Sequence, residues 1–141
     1  MTASDESLLR LAAEGYERPG GAAAGVLLHP TFRYEELRSG VVLDASAFLA
    51  RWKEVREVFP DVRAEVRRVA ANVDVTAADV VWRATCSPLA SARDADKILV
   101  VPDVVITRWR GRRQVAELHE VGVLSIFTAA AREVTNSLTG T

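Results

Sequence analysis

The stretch Ile98–Phe127, ILVVPDVVITRWRGRRQVAELHEVGVLSIF, decides which fold this chain can adopt. Residues 98–109 are rich in Val and Ile, which suit a pleated, half-buried strand. Residues 110–113, RGRR, form a short polar gap with a glycine, which favours a tight hairpin turn. Residues 114–121 then alternate as a second strand would. We therefore predict a β-hairpin that leads into a C-terminal helix beginning at Val123.

Pro102 interrupts the first of these two strands. Proline cannot donate to a strand ladder, so the strand is predicted to be an edge strand, or to break or bulge at Pro102. Asp103 follows directly and is a lone carboxylate among valines, so it must be paired, neutral or at a bulge. A buried carboxyl with a raised pKa would make Asp103 a good proton donor. The alternative is that Asp103 only marks a bulge or an edge turn.

The second strand carries two ionisable groups on one predicted face. Val115, Glu117, His119 and Val121 share this face, whereas the other face carries Gln114, Ala116, Leu118 and Glu120. If the first face is buried, the Glu–His pair can hold its imidazole ready as an acid or a base near neutral pH. Two alternatives stay open: both side chains reach solvent, or a register slip exchanges the two faces.

The remaining chain predicts helices early and strands late. This order argues for an α+β fold in which helices cover one face of a curved antiparallel sheet. A chain of 141 residues is enough for one domain, which we place at residues 1–141. The predicted helices span residues 4–17 and 22–28 and a segment from Asp44 or Ser46 to Phe59, and the predicted strands span 32–37, 61–73 and 78–86.

Composition limits the kinds of function that this chain can have. Hydrophobic residues make up 49% and charged residues 26% of the chain, as in an ordinary soluble domain. The formal net charge of −1 gives no electrostatic case for nucleic acid or a membrane surface. We expect a cytoplasmic protein, because neither a signal peptide nor a membrane-spanning run is evident. The only histidines, His29 and His119, cannot supply a zinc-type spacing, so no metal site is expected.

Four large or charged residues are candidates for ligand contact. Tyr34, Trp52 and Trp82 could line a cavity for a flat ligand, and core packing is the alternative for each. Arg83 could clamp a carboxylate or polarise an enolate oxygen. Its alternative is an ion pair with Glu117 or Asp103.

Five short segments stand in a particular order along most of the chain, from about Ser7 to Phe127. They are Phe59-Pro60-Asp61-Val62-Arg63, Val80-Val81-Trp82-Arg83, Arg108-Trp109-Arg110-Gly111-Arg112, Val115-Ala116-Glu117 and Leu124-Ser125-Ile126-Phe127. In this order and spacing they resemble the nuclear transport factor 2-like superfamily, and more closely its SnoaL-like polyketide cyclase group.

This resemblance implies a cone, in which a strongly curved, mostly antiparallel sheet is wrapped by about three helices around an apolar cavity. It also implies a homodimeric, cofactor-independent enzyme of secondary metabolism and antibiotic biosynthesis. The expected reaction is acid/base proton transfer on a polyketide-like carbonyl substrate, leading to cyclisation or isomerisation. In the family a cavity aspartate performs this transfer.

The chain departs from the family pattern of glutamate, one residue, tryptophan, three residues, aspartate. Glu117 stands at the glutamate, His119 at the tryptophan and Val123 at the aspartate. Valine cannot transfer a proton, so we expect His119 to be the base and Glu117 to support it. Asp103 or Arg83 would then stabilise the developing enolate.

Two further interpretations of the family resemblance stay open. The chain could be a non-catalytic small-molecule-binding or accessory protein of the same fold, because the family aspartate is missing. It could also be a dimerisation module that uses the outer face of its sheet, with Trp82 and Trp109 as interface anchors.

Overall fold

The computed structural model describes residue 6 and residues 8–12, 28–85 and 98–138 of the chain. Residues 8–12 are helical, and six strands and two longer helices follow. In chain order these are β1 (Leu28–Glu36), β2 (Val42–Asp44), α1 (Ala45–Val58), β3 (Arg63–Asn72), β4 (Val75–Thr85), β5 (Ile98–Arg110), β6 (Arg113–His119) and α2 (Val123–Leu138).

All six strands belong to one curved, open sheet with the order β2-β1-β6-β5-β4-β3. Every pairing is antiparallel except that of β1 with β6, which is parallel. The helices and the strands together confirm the predicted α+β fold with a curved, mostly antiparallel sheet. The parallel pair brings the N-terminal strand beside the end of the predicted hairpin.

The predicted hairpin is confirmed as β5 and β6, but one side chain faces the opposite way from the prediction. Arg110 pairs with Arg113 across a turn in which Gly111 adopts a left-handed φ of 58°. The register between the strands then shifts, so that Val115 is an extra, bulged residue. Because of this bulge Gln114 is buried, on the same side as Glu117 and not on the opposite side as predicted.

The structure decides between the two alternatives for Pro102. Val105 is the first β5 residue that pairs with β6, so the half of β5 that contains Pro102 pairs with β4 alone among the described strands. This half behaves as an edge strand. Pro102 pairs with Val81 without a register shift, so the strand does not break or bulge there, and the edge strand is the alternative that is confirmed.

Several predicted boundaries also need correction. Leu28, the predicted end of a helix, is the first residue of β1, which therefore begins before Phe32. Strand β4 begins at Val75 and not at Ala78, and β6 ends at His119 and not at Val121. The three-residue strand β2 was not predicted, because so short a segment shows no periodicity. The predicted helix over residues 22–27 and the predicted loop over residues 87–97 lie outside the described residues.

Helix α1 packs against the inner face of the sheet beside β1 and β2. Asp44 is its N-cap, and the Asp44 carboxylate accepts a hydrogen bond of 2.8 Å from the backbone N–H of Ala47. Phe48, Trp52 and Val55 form its buried stripe. The core therefore lies between this stripe, helix α2 and the inner face of the sheet. None of the described helices is long and apolar enough to cross a membrane.

Candidate active site

The register of β5 against β6 brings the predicted ionisable residues onto one inner surface. Val105 lies opposite His119, and Thr107 lies opposite Glu117. All four side chains are buried, so Glu117 and His119 point inward together. Asp103 is two residues before Val105 on the same face of β5, which places it diagonally across from His119.

Both ring nitrogens of His119 are held by carboxylates. Nδ1 lies 2.6 Å from Asp103 Oδ2, and Nε2 lies 2.6 Å from Glu117 Oε1. Hydrogen bonds between ionised groups are shorter than those between neutral groups, and both of these distances lie at or below the short end of that class. We name these three residues the carboxylate–imidazole cluster.

The charge state of the carboxylate–imidazole cluster follows from its surroundings. Burial by itself lowers the pKa of His119, but the hydrogen bonds and negative charges of Asp103 and Glu117 outweigh burial and raise this pKa to about 9. His119 is therefore an imidazolium at neutral pH, and both of its N–H groups are used. An imidazolium has no free lone pair, so the group of the cluster that can accept a proton is a carboxylate.

The two carboxylates differ in how fully they are occupied. Asp103 Oδ1 accepts hydrogen bonds from the backbone N–H groups of Val104 (2.9 Å) and Val121 (3.1 Å), while Oδ2 is used by His119. Within the described residues Glu117 has a hydrogen bond through Oε1 alone. The Glu117 side chain is 8% exposed, against 0% for the side chains of Asp103 and His119. Glu117 is thus the member of the cluster that a ligand can reach.

Two of the predicted aromatic residues lie beside His119, and the third packs on one of them. The ring centroid of Tyr34 lies 4.8 Å from that of His119, and the Trp82 centroid lies 6.3 Å from it. Trp52 stacks on Trp82 at 5.3 Å. The structure therefore brings together six of the seven predicted site residues.

Arg83 is the residue that does not join the others. It lies on the outer side of β4, half-buried, and its Nε is 3.5 Å from Glu65 Oε2. Neither of the partners suggested by the sequence, Glu117 and Asp103, contacts it, because both point to the inner side, where they hold His119. The predicted contact of Arg83 with an inner substrate has no support in this placement.

The prediction that Trp82 and Trp109 anchor an outer interface is wrong. Both side chains are buried in the core, on the inner face of the sheet. The indole Nε1 of Trp109 donates a hydrogen bond of 2.9 Å to Thr76 Oγ1. Side chains alternate between the two faces along a strand, and this alternation places both tryptophans on the inner face.

Glu36, which was not among the residues predicted for the site, is buried beside the cluster. Its carboxylate accepts hydrogen bonds from the hydroxyls of Tyr34 (2.5 Å) and Ser39 (2.7 Å), and from both the backbone N–H and the hydroxyl of Ser125. Burial raises the pKa of Glu36, but these hydrogen bonds together hold it below its ordinary value. The sequence could have indicated this residue. Glu36 shares a predicted strand face with Phe32 and Tyr34, and a carboxylate among apolar residues is the same pattern that singled out Asp103.

Val123, at the position of the family aspartate, is fully buried at the first residue of α2. The carboxylates near Tyr34 and the His119 ring come from β1, β5 and β6 instead. Among the residues that the structure describes, no group of three or more His, Cys, Asp and Glu side chains could hold a metal ion.

Comparison with known proteins identifies the fold. No family model and no curated protein sequence matches the chain. A candidate SnoaL-like polyketide cyclase from Jannaschia sp. CCS1 matches with a TM-score of 0.66 at 15% identity, over 93% of this chain and 97% of that one. A candidate polyketide cyclase from Streptomyces antibioticus matches with a TM-score of 0.67 at 18% identity, over 92% and 97%.

A third match is an epoxide hydrolase from M. tuberculosis, described as LEH-like, with a TM-score of 0.67 at 8% identity, over 97% of this chain and 98% of that one. At these identities the likeness is one of fold. The chain therefore has the nuclear transport factor 2-like fold of the SnoaL-like polyketide cyclases and ketosteroid isomerase-like proteins, as the resemblance of its sequence implied.

Proposed function

We propose that this protein is a cofactor-independent polyketide cyclase or isomerase of antibiotic biosynthesis, working in the cytoplasm. The observation that carries the proposal is the buried carboxylate–imidazole cluster, in which Glu117 alone has an exposed side-chain surface. Buried ionisable groups with perturbed pKa values are concentrated at catalytic sites. The shared fold with candidate polyketide cyclases supports the same class of reaction.

In the proposed reaction Glu117 is the general base, in place of the role predicted for His119. The Glu117 carboxylate takes a proton from a carbon next to a substrate carbonyl, and the C–H electron pair moves into an enolate. The enolate carbon then attacks a second carbonyl, and the new alkoxide takes the proton back from Glu117. For an isomerisation the same proton returns to a different carbon.

His119 and Asp103 are positioning residues in this proposal. The imidazolium fixes one oxygen of Glu117 and supplies a positive charge in a water-poor interior, where it lowers the energy of the enolate. Asp103 holds the other side of the ring and is itself fixed by two backbone N–H groups. Tyr34, Trp52 and Trp82 are fully buried, so in this proposal they pack around the cluster and keep water away from it, which is the alternative to ligand contact.

The test is an incubation of the purified protein in deuterated water with a panel of aromatic polyketide esters and β-dicarbonyl compounds. We expect deuterium at an acidic carbon, or a cyclised product, above the level of a protein-free control, as read by mass and absorbance. Compounds that bind without either change would contradict the enzyme assignment. They would favour the second candidate, a small-molecule-binding protein, which is motivated by Val123 at the family aspartate.

We further propose that the protein is a homodimer that associates through the outer face of its sheet. Four outward side chains of β5 are large, apolar and exposed: Ile98, Val100, Val104 and Ile106. Pro102 stands between them, so the outward side of this half-strand is apolar throughout. A contiguous exposed apolar surface of this kind marks a protein interface.

A further inference from the structure

We propose that Glu36 is a positioning residue of the acid/base site, and that it acts on His119 through the side chain of Tyr34. This inference rests on the proposed function, because it describes how the same site is held in its working geometry. It gives strand β1 a part in holding the His119 ring, in addition to the residues of the β5–β6 hairpin.

The parallel pairing of β1 with β6 creates the contact. Tyr34 is aligned with Glu117, and Glu36 is aligned with His119. Because residues two apart on a strand share a face, Tyr34 and Glu36 both point to the inner side, and both are buried. Each member of the Glu117–His119 pair therefore has a polar neighbour on β1.

The Glu36 carboxylate joins three separate parts of the chain. Its donors are Tyr34 on its own strand, Ser39 in the following turn and Ser125 in the first turn of α2. A carboxylate at a helix N-terminus is further stabilised by the helix dipole. A Cβ atom at Gly122, which has φ +81°, would lie 3.0 Å from Glu36 Oε1. The absence of a side chain at Gly122 thus leaves the space in which this carboxylate approaches the helix.

Tyr34 connects Glu36 to the cluster, because its hydroxyl binds Glu36 and its ring packs against His119. Its hydroxyl donates to Glu36 and accepts a hydrogen bond of 3.4 Å from the backbone N–H of Leu124. Burial, together with the negative charge of Glu36, raises the pKa of Tyr34 far above its ordinary value, so the hydroxyl remains protonated. The ring so fixed is tilted by 48° against the His119 ring at 4.8 Å, where its π electrons favour an imidazolium.

A purely structural role for Glu36, as a cap of α2, makes a different prediction from a positioning role. A cap would change the stability of the protein and leave the His119 ring as it is. A positioning residue that works through Tyr34 would change the environment of the ring, and removing Tyr34's hydroxyl would produce the same change. The effects of the two substitutions on His119 would then not be additive.

The experiment is nitrogen NMR of the imidazole rings in protein labelled with ¹⁵N-histidine at neutral pH. The variants are Glu36→Gln, Tyr34→Phe and the double variant. The matched control is Glu35→Gln, the same chemical change one position earlier on β1, where the side chain is 40% exposed and paired with Arg33. We expect the His119 signals to shift or broaden equally in all three test variants and to stay unchanged in the control.

Unchanged His119 signals in Glu36→Gln, or effects of the two single changes that simply add, would overturn the proposal. If Glu36→Gln does not fold, Ser125→Ala takes its place, because it removes one donor and keeps the carboxylate. His119 signals that Ser125→Ala leaves unchanged would then overturn the proposal as well.

Turnover separates this inference from the proposed function. With an active wild type, Glu36→Gln should lower kcat by about tenfold, the scale on which supporting residues act, and leave KM unchanged. A wild type that is inactive on every substrate, with coupled NMR effects, would refute the proposed function and support the positioning of His119. An active wild type with unchanged signals would refute the positioning role alone.

Discussion

Both faces of β5 depart in part from the usual arrangement of a sheet in water. The inner face carries Asp103 and Thr107, both buried, whereas the outer face carries the exposed Val104 and Ile106. A one-sided antiparallel sheet ordinarily has its apolar residues inside and its polar residues outside. Each departure from this rule lowers stability, so each points to a function: a reactive group inside and a partner outside.

The inner face is expected to dominate the stability of the protein. Asp103→Ala would leave an imidazolium with one partner fewer and two backbone N–H groups without an acceptor. Breaking a buried ion pair in this way costs about 3–5 kcal/mol. The matched change on the outer side is Asp79→Ala, since Asp79 is an exposed partner of Arg68 at 3.5 Å and is expected to contribute less than about 1 kcal/mol. Urea unfolding of both variants makes the comparison, and equal losses would contradict it.

The pH dependence of stability measures how much the ionisation of His119, one of the inner-face residues, contributes to the free energy of unfolding. Its pKa is about 9 in the folded protein and about 6.5 unfolded, so its stabilising effect is complete below pH 6.5 and disappears as the pH rises to 9. The total loss should be about 3 kcal/mol. Urea unfolding at a series of pH values measures this slope, and His119→Gln should remove it. A wild type equally stable at both ends of this range would show that His119 is neutral.

The outer face is expected to govern association. Val104→Glu would place a charge in the proposed interface and weaken the dimer by about 100-fold or more, equivalent to about 2.7 kcal/mol. Ile126→Glu is the control, because Ile126 is 40% exposed on α2 and Val104 is 39% exposed on β5. Light scattering over a range of concentrations gives the mass of each variant. A wild type that remains monomeric, or a control that dissociates equally, would rule out this interface.

The smallest expected effect compares two glycines with similar backbone angles. Gly122 (φ +81°) lies against Glu36, whereas a Cβ atom added at Gly40 (φ +75°) would meet no described atom within 4 Å. An alanine at either site meets left-handed strain of about 1–2 kcal/mol. Gly122→Ala should lose about 1 kcal/mol more, because of its contact with the carboxylate. Thermal unfolding of both variants tests this difference, and equal losses would mean that Glu36 moves away easily.

Local features of the sequence were enough to predict much of the fold. The hairpin could be predicted because its turn and its alternating residues are close together in sequence. A lone carboxylate among valines indicated that Asp103 needed a partner. Which residue that partner was, His119, depended on the register between two strands.

Long-range and irregular features were not predictable in this way. The bulge at Val115 reversed the predicted side of Gln114, and no residue type marks such a bulge. Glu36 depends on Ser125, which is 89 positions away, through a parallel pairing that the local pattern does not encode. Arg83 directly follows the buried Trp82 on β4, so its side chain points to the outer side of the sheet.

The most direct test of the inner-face chemistry is the rate of deuterium uptake by a substrate in single turnover, compared between the wild type and Glu117→Gln. Glu35→Gln again serves as the control, on the same sheet but exposed. We expect Glu117→Gln to lose about 10²–10⁴-fold in rate, the usual contribution of a general base, while substrate binding stays within a few-fold. Uptake at the wild-type rate in Glu117→Gln would contradict the assignment of this carboxylate as the base.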